Sequence, residues 1–220
     1  ISLDCTESVI DEAIETGCNF IISHHPLIFK GLKKLNGSNF VQRTIIKAIK
    51  YDIAIYAMHT NLDNIANGVN AKIAEKLELK NCDFLLPKSE YENVGSGIIG
   101  ELSKEKSTLD FLKGLRVTMK SDFIRHTSLV KKKVKRIAVC GGSGSFLLQN
   151  AIKLKADVFI SSDFKYHDYF DADNHIIIAD IGHYESEQFT KELIYDLLIE
   201  NFTNFAVRLS QLNTNPIKYL

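Results

Sequence analysis

The sequence predicts an α/β fold of two similar-sized lobes, with mostly parallel or mixed sheets flanked by helices. Three observations carry that expectation. Short apolar runs end in ligand-type side chains: Phe20-Ile21-Ile22 runs into Ser23-His24-His25-Pro26, and Tyr56-Ala57-Met58 into His59-Thr60-Asn61-Leu62-Asp63. Val158-Phe159-Ile160 likewise runs into Ser161-Ser162-Asp163, and Ile176-Ile177-Ile178-Ala179 into Asp180-Ile181-Gly182-His183. Such runs, bounded by turn signals, read as buried strands. Between them, apolar residues recur at helical spacing, which is the alternation of a mostly parallel sheet wrapped by helices. The stretch 87–100 gathers Pro87, Gly95, Gly97 and Gly100, and a lobe boundary is expected there, with residues 1–90 in one lobe and 91–220 in the other.

The elements follow in order. Val9, Ile10, Ala13 and Ile14 mark a first helix, with Thr6 as its cap and Gly17 as its stop. The strand Phe20 to Ile22 comes next, then a helix through Phe40, Thr44, Ala48 and Ile49, a strand over Ile53 to Met58, and a helix from Ile65 to Leu77. Beyond the boundary the pattern predicts a helix over Leu109 to Leu115 and a strand near Arg116 to Met119. It then predicts strands at Arg136 to Cys140, Asp157 to Ile160 and Ile176 to Ala179, separated by helices at Phe146 to Leu154 and Phe164 to Phe170. A long helix over Glu185 to Ile199 and a strand over Phe205 to Leu209 close the chain.

Composition narrows the function classes. At 220 residues and 45% apolar, the chain can bury a sizeable core. Lys plus Arg equals Asp plus Glu at 27 each, so no overall field draws it to nucleic acid or to membranes. No apolar run approaches the ~18 residues of a membrane span. Cys5, Cys18, Cys82 and Cys140 form no C-x-x-C pair and read as reduced, structural thiols, which places the protein in the cytoplasm.

The chemistry concentrates at the strand ends, where open α/β sheets bind ligands. His24 and His25 are adjacent, so at a strand end they point in opposite directions and each would face a different ion of a two-metal site, or else one is buried and the other a surface histidine. Asp63 has two oxygens with which to bridge such ions, although Asn61 and Asp63 also suit the cap of the following helix. His183 and Glu187 are four apart on one helical face and suit joint coordination. Asp163 and His167 share that spacing, either as a pair that orients a ligand or moves a proton, or as a helix cap and a surface histidine. Gly141-Gly142-Ser143-Gly144-Ser145 follows a strand and precedes a helix; it lacks the lysine of a nucleotide-binding loop, and a tight turn is its default reading. Lys131 to Arg136 is a basic run with no interleaved aromatic residue, read as a solvated loop. No Gly-x-Ser-x-Gly elbow is present.

Taken together, Ile22-Ser23-His24-His25-Pro26-Leu27, His59-Thr60-Asn61-Leu62-Asp63, the segment 156–172 and Gly182-His183-Tyr184-Glu185-Ser186-Glu187 resemble the Nif-three-like family, many of whose members are described as GTP cyclohydrolase 1 type 2 homologues. The resemblance runs through nearly the whole chain. It implies a dinuclear metal site between the two lobes and a ring-shaped homohexamer. By the resemblance the metal ligands fall on His24, His25, Asp63, His183 and Glu187, with His59 and His167 near the site in catalytic roles. The family's Thr-Gly-Asp appears here as Ser161-Ser162-Asp163. Relatives normally have residues before the strand at Ile1, so this chain is expected to lack its N-terminal stretch. Many also carry an inserted subdomain where only the bridge Lys88 to Asn93 stands here.

The function expected is therefore that of a cytoplasmic hydrolase with two divalent ions per chain (Zn, Mn, Fe or Co), acting on a small nucleotide. Metal-activated water would open the imidazole ring of a purine and release formate, with the triphosphate near Gly141 to Ser145. The alternatives are a two-metal phosphoesterase on another nucleotide and a non-catalytic metal-binding or regulatory protein.

Overall fold

A computed structural model of the chain describes residues 1–88 and 90–220. They form two compact units. Unit 1 comprises residues 1–61 and 190–218 with Leu220; unit 2 comprises 62–189 with Tyr219. Each has mixed helix and strand, as the sequence predicts.

In unit 1, helix α1 (Glu7–Glu15) starts where the Thr6 hydroxyl accepts the Val9 amide. Strand β1 (Phe20–Ser23) follows. Helix α2 (Phe40–Lys50) is capped by Asn39, whose side chain accepts the Gln42 amide. Strand β2 (Ala54–Ala57) pairs parallel with β1 from Phe20–Ala54 to Ser23–Ala57. Val9, Ile10 and Ala13 of α1 pack with Ile21, Ala48 and Ile53 in the core of this unit. A single turn, α3 (Thr60–Asp63), leads out of it, and a helix over Thr190–Asn201 returns to it.

In unit 2, helix α4 (Val69–Lys76) precedes the hairpin β3 (Lys80–Pro87) and β4 (Gly95–Ser107). Helix α5 (Thr108–Thr118), the short β5 (Arg125–His126) and the long β6 (Lys133–Ser143) come next. Helix α6 (Leu148–Lys153), β7 (Val158–Ser162), β8 (Ile177–Asp180) and the short helix α7 (His183–Glu187) complete it. Six strands form one sheet in the order β3-β4-β6-β7-β8-β5. The β6-β7 and β7-β8 pairs are parallel and the outer pairs antiparallel. Every residue of β7 and β8 is buried, which accounts for their continuous apolar runs.

Several expectations shift. The chain divides at residue 62 rather than near 90. The Pro/Gly-rich stretch is the turn and start of an antiparallel hairpin, with Phe84 paired to Ile98 and Pro87 to Gly95. Residues 116–118 continue α5 instead of forming a strand, because Leu112, Leu115 and Met119 are buried at helical spacing. Residues 166–172 are 3₁₀ rather than α, and the expected long helix from Glu185 is two helices. Residues 205–209 form no strand; residues 208–210 lie beside Ile1, whose amino group donates to Arg208 O and whose carbonyl accepts the Ser210 amide. The basic run from Lys131 passes into β6 at Lys133, and Lys131, Lys133, Lys135 and Arg136 pair with Asp157, Glu105 and Glu101.

Candidate metal centre

In unit 1, three histidines gather beyond the carboxyl ends of β1 and β2. The rings of His24 and His25 have centroids 4.9 Å apart, and the His59 ring lies 5.5 Å from the first and 5.8 Å from the second. Each offers a ring nitrogen within 4.8 Å of the other two. The opposite directions expected for His24 and His25 do not hold, since both follow Ser23, where the strand's alternation has ended.

The backbone accounts for their placement. The amides of His24 and His25 donate to Ser2 O and Leu3 O, and the Met58 amide donates to Ser23 O. His24 is buried, with Nδ1 2.8 Å from the Met58 carbonyl. His25 Nδ1 lies 2.7 Å from Asp4 Oδ1, and the other Asp4 oxygen accepts from the Thr214 hydroxyl. A carbonyl or carboxylate can only accept, so each Nδ1 carries the proton and the lone pair resides on Nε2, the tautomer a metal ligand needs.

In unit 2, Asp63 ends α3, and its main-chain carbonyl accepts from the Asn70 side chain. It does not cap the next helix, whose N-cap is Gly68. Asp63 and Glu187 each offer a carboxylate oxygen within 4.8 Å of the other. His183 opens α7, with Nδ1 2.6 Å from Asp163 Oδ2 and Nε2 3.0 Å from Glu187 Oε2. Asp163 also accepts from the Ser143 hydroxyl. It adopts a left-handed backbone at φ 57° ahead of the 3₁₀ turn, so it shares no helical face with His167 and orients His183 instead.

Electrostatics follow from this arrangement. Burial works against charge on His183, but its hydrogen bonds to Asp163 and Glu187, and their charges, outweigh that and raise its pKa to about 10. The same His183 bond holds the Asp163 carboxyl below its ordinary range. Burial, with the Asp63 and Glu187 charges, pushes the Cys140 thiol up to about 12, so it packs as a neutral group.

Gly142 is what lets Glu187 approach. Its φ is 63°, and a Cβ there would meet Glu187 Oε1 at 2.4 Å. Two amides of the glycine-rich segment are already engaged: the Gly141 amide donates to Asn70 Oδ1 and the Gly142 amide to the Ser186 hydroxyl, both at 2.9 Å.

His167 joins neither set of donors among the described residues. It is exposed, beside Tyr166 and Phe170 with ring centroids at 5.2 and 6.2 Å. Sequence reasoning passed over Asp4 and Asn70, and took Gly142 only as part of a tight turn. Asp4 follows the apolar Leu3 just as Asp63 follows Leu62, which was the available signal; Asn70 had none.

The chemistry of each set fits a divalent ion of the borderline class, with imidazoles in one and imidazole plus carboxylates in the other.

A family model described as Duf34/NIF3 (NGG1p interacting factor 3) matches residues 1–216. A "GTP cyclohydrolase 1 type 2 homolog" of Clostridium perfringens is 36% identical over 189 residues, covering 85% of this chain and 72% of the relative. A relative of the same description in Clostridium acetobutylicum is 31% identical over 224 residues, covering 99% and 84%. The match to another, from Staphylococcus aureus, spreads the whole of this chain over 329 aligned residues, so that relative carries residues with no counterpart here. The crystal structure of a Staphylococcus aureus hypothetical protein superposes with a TM-score of 0.92 at 35% identity, covering all of this chain and 86% of that one. That of a Bacillus cereus protein related to NIF3 gives 0.89 at 26%, covering all of this chain and 88% of that one.

Proposed function

The chain belongs to the Duf34/NIF3 family, and on that premise we propose that it is a hydrolase using two divalent ions, acting on a purine nucleotide in the manner of a GTP cyclohydrolase. In this reading His24, His25, Asp63, His183 and Glu187 hold the ions. One observation carries it: His24, His25 and His183 each have Nδ1 on an acceptor (Met58 O, Asp4 and Asp163), the arrangement that orients a metal-binding imidazole. Relatives described as GTP cyclohydrolase 1 type 2 homologues support the substrate class.

Divalent ions, when bound, supply Lewis-acid activation of water at neutral pH. The remaining work belongs to side chains. His59, its ring beside those of His24 and His25, moves a proton from each of two attacking waters to the imidazole nitrogen it releases, the first water opening the ring to a formamide and the second cleaving that formamide to formate and an amine. In this reading His167, on the exposed 3₁₀ turn over Tyr166–Ala172, is the second proton carrier. Asp4 and Asp163 hold His25 and His183 in place without touching substrate.

Among the described residues no helix is long and apolar enough to cross a membrane, and all four cysteines are free thiols. We propose that the protein works in the cytoplasm as a homohexamer.

Metal content by elemental analysis, on wild type beside His24→Ala/His25→Ala, tests the reading. About two ions per chain, lost in the variant, followed by formate release from GTP, is the expected result. Wild-type protein that takes up no metal on reconstitution overturns it.

A further inference from the structure

From His24 to Asn39 the chain has no regular helix or strand. Unstructured connections beyond ~12–15 residues are uncommon in compact domains and are usually functional. This one begins at two of the clustered histidines and remains beside the third: the Phe29 ring meets His59 edge-on at 5.7 Å between centroids.

Its charge is lopsided. Between Glu15 and Asp52 the sequence has no acidic residue, yet Lys30, Lys33, Lys34, Arg43, Lys47 and Lys50 all fall there in a chain of zero net charge. Arg43 and Lys47 pair with Glu7 and Asp11 of α1, and Lys50 ends α2, where the helix dipole favours a cation. Lys30, Lys33 and Lys34 are exposed, and among the described residues none of the three makes an ion pair. Three lysines within five residues, starting next to the ring that touches His59, concentrate positive potential at the edge of the histidine cluster.

We propose that residues 29–34 are the anion-reading arm of the His24, His25 and His59 cluster, with Lys30, Lys33 and Lys34 binding the polyphosphate of a nucleotide. Lysine suits the task because it is a flexible point charge with three donors that meets phosphate oxygens from several directions. The amides of Gly141 and Gly142 already have acceptors, so the phosphate reading of that loop passes to the lysines. The inference rests on the proposed function only in taking the ligand to be a nucleotide; phosphate binding requires no turnover.

The test is calorimetric titration of inorganic tripolyphosphate, GTP, guanosine and phosphatidylserine vesicles into the full chain, as purified and after metal removal. Wild type is compared with Lys30→Gln/Lys33→Gln/Lys34→Gln. Tripolyphosphate and GTP should bind wild type in both metal states and bind the variant at least about tenfold more weakly, three exposed ion pairs being lost. The slope of log affinity against log salt should fall by about two. Guanosine binding, metal content and elution volume in gel filtration should stay as in wild type. Equal tripolyphosphate affinity in the variant overturns the proposal, as does no binding to wild type or binding to phosphatidylserine vesicles instead. A changed elution volume also overturns it, because the lysines would then belong to an interface. Protein that holds no metal but binds tripolyphosphate through these lysines removes the hydrolase reading and leaves this one standing. Metal and GTP turnover without lysine dependence do the reverse.

Discussion

Gly142 and Asp163 show how single residues govern the Glu187 and His183 pair. A side chain at position 142 has to displace Glu187 Oε1 and adopt a left-handed backbone, which costs about 1–2 kcal/mol for an L-residue. Gly142→Ala should therefore lose bound metal and unfold at a lower temperature; wild-type metal content in that variant would show that Glu187 is not a ligand. Asp163→Asn removes the charge behind His183 while keeping its shape. Loss of such a partner typically weakens metal binding about 10- to 100-fold, readable by competition with a chelating dye. The proton matters as well. In the metal-free chain the His183 pKa rises from 6.5 to about 10, so its contribution to stability is complete below 6.5 and is lost as pH climbs through about 10. Metal-free wild type should lose stability across that window, and Asp163→Asn should lose less. A ligand must be deprotonated, so metal uptake should release a proton below pH 10, measurable by calorimetry in buffers of different ionisation enthalpy.

At the level of elements, the strands that carry the histidines and carboxylates were the legible ones. β1, β7 and β8 announce themselves because they are apolar runs that stop at polar residues. The hairpin β3-β4 was hidden for a physical reason. Gly95 and Gly97 read as chain breakers, yet they lie inside β4, where a Cβ would press to 2.5 Å on the Phe84 ring and 2.8 Å on Leu85. Gly95 answers to close packing, and Gly97 both to close packing and to a left-handed backbone at φ 63°. β3 was equally obscure, since most of its residues are exposed and it lies at the sheet edge. The site was legible as a set of residue types, but its supports were not: Met58 acts through a carbonyl, Asn70 through a side chain far away in sequence from Gly141. Stability should concentrate in the parallel centre of the six-stranded sheet. Phe159, fully buried in β7 among Ala138, Leu148 and Phe164, should cost roughly 3–5 kcal/mol when cut to alanine, read from the midpoint of urea unfolding. A shift under about 1 kcal/mol would mean this core is looser than its packing indicates.

For the molecule as a whole, metal and assembly should show as stability and mass. An ion at about a thousand times its dissociation constant adds ~4 kcal/mol to the folded state, so chelator should lower the melting temperature and added metal restore it. His24→Ala/His25→Ala should melt alike with and without chelator. Light scattering should report a mass several times the 24.8 kDa chain, and a monomer would count against the hexamer.

Asp4 joins two stretches of unit 1 that are far apart in sequence. It orients His25 through one oxygen and receives the Thr214 hydroxyl on the other. Unit 1 is built from two stretches, residues 1–61 and 190–218, with residues 62–189 of unit 2 synthesised between them. Domains ordinarily fold as they leave the ribosome, N-terminal first. Here the Asp4 and His25 pair waits for Thr214 before its support in unit 1 is complete. A nascent chain therefore carries Asp4 and His25 through the synthesis of residues 62–189 before the Thr214 hydroxyl that Asp4 accepts has been made.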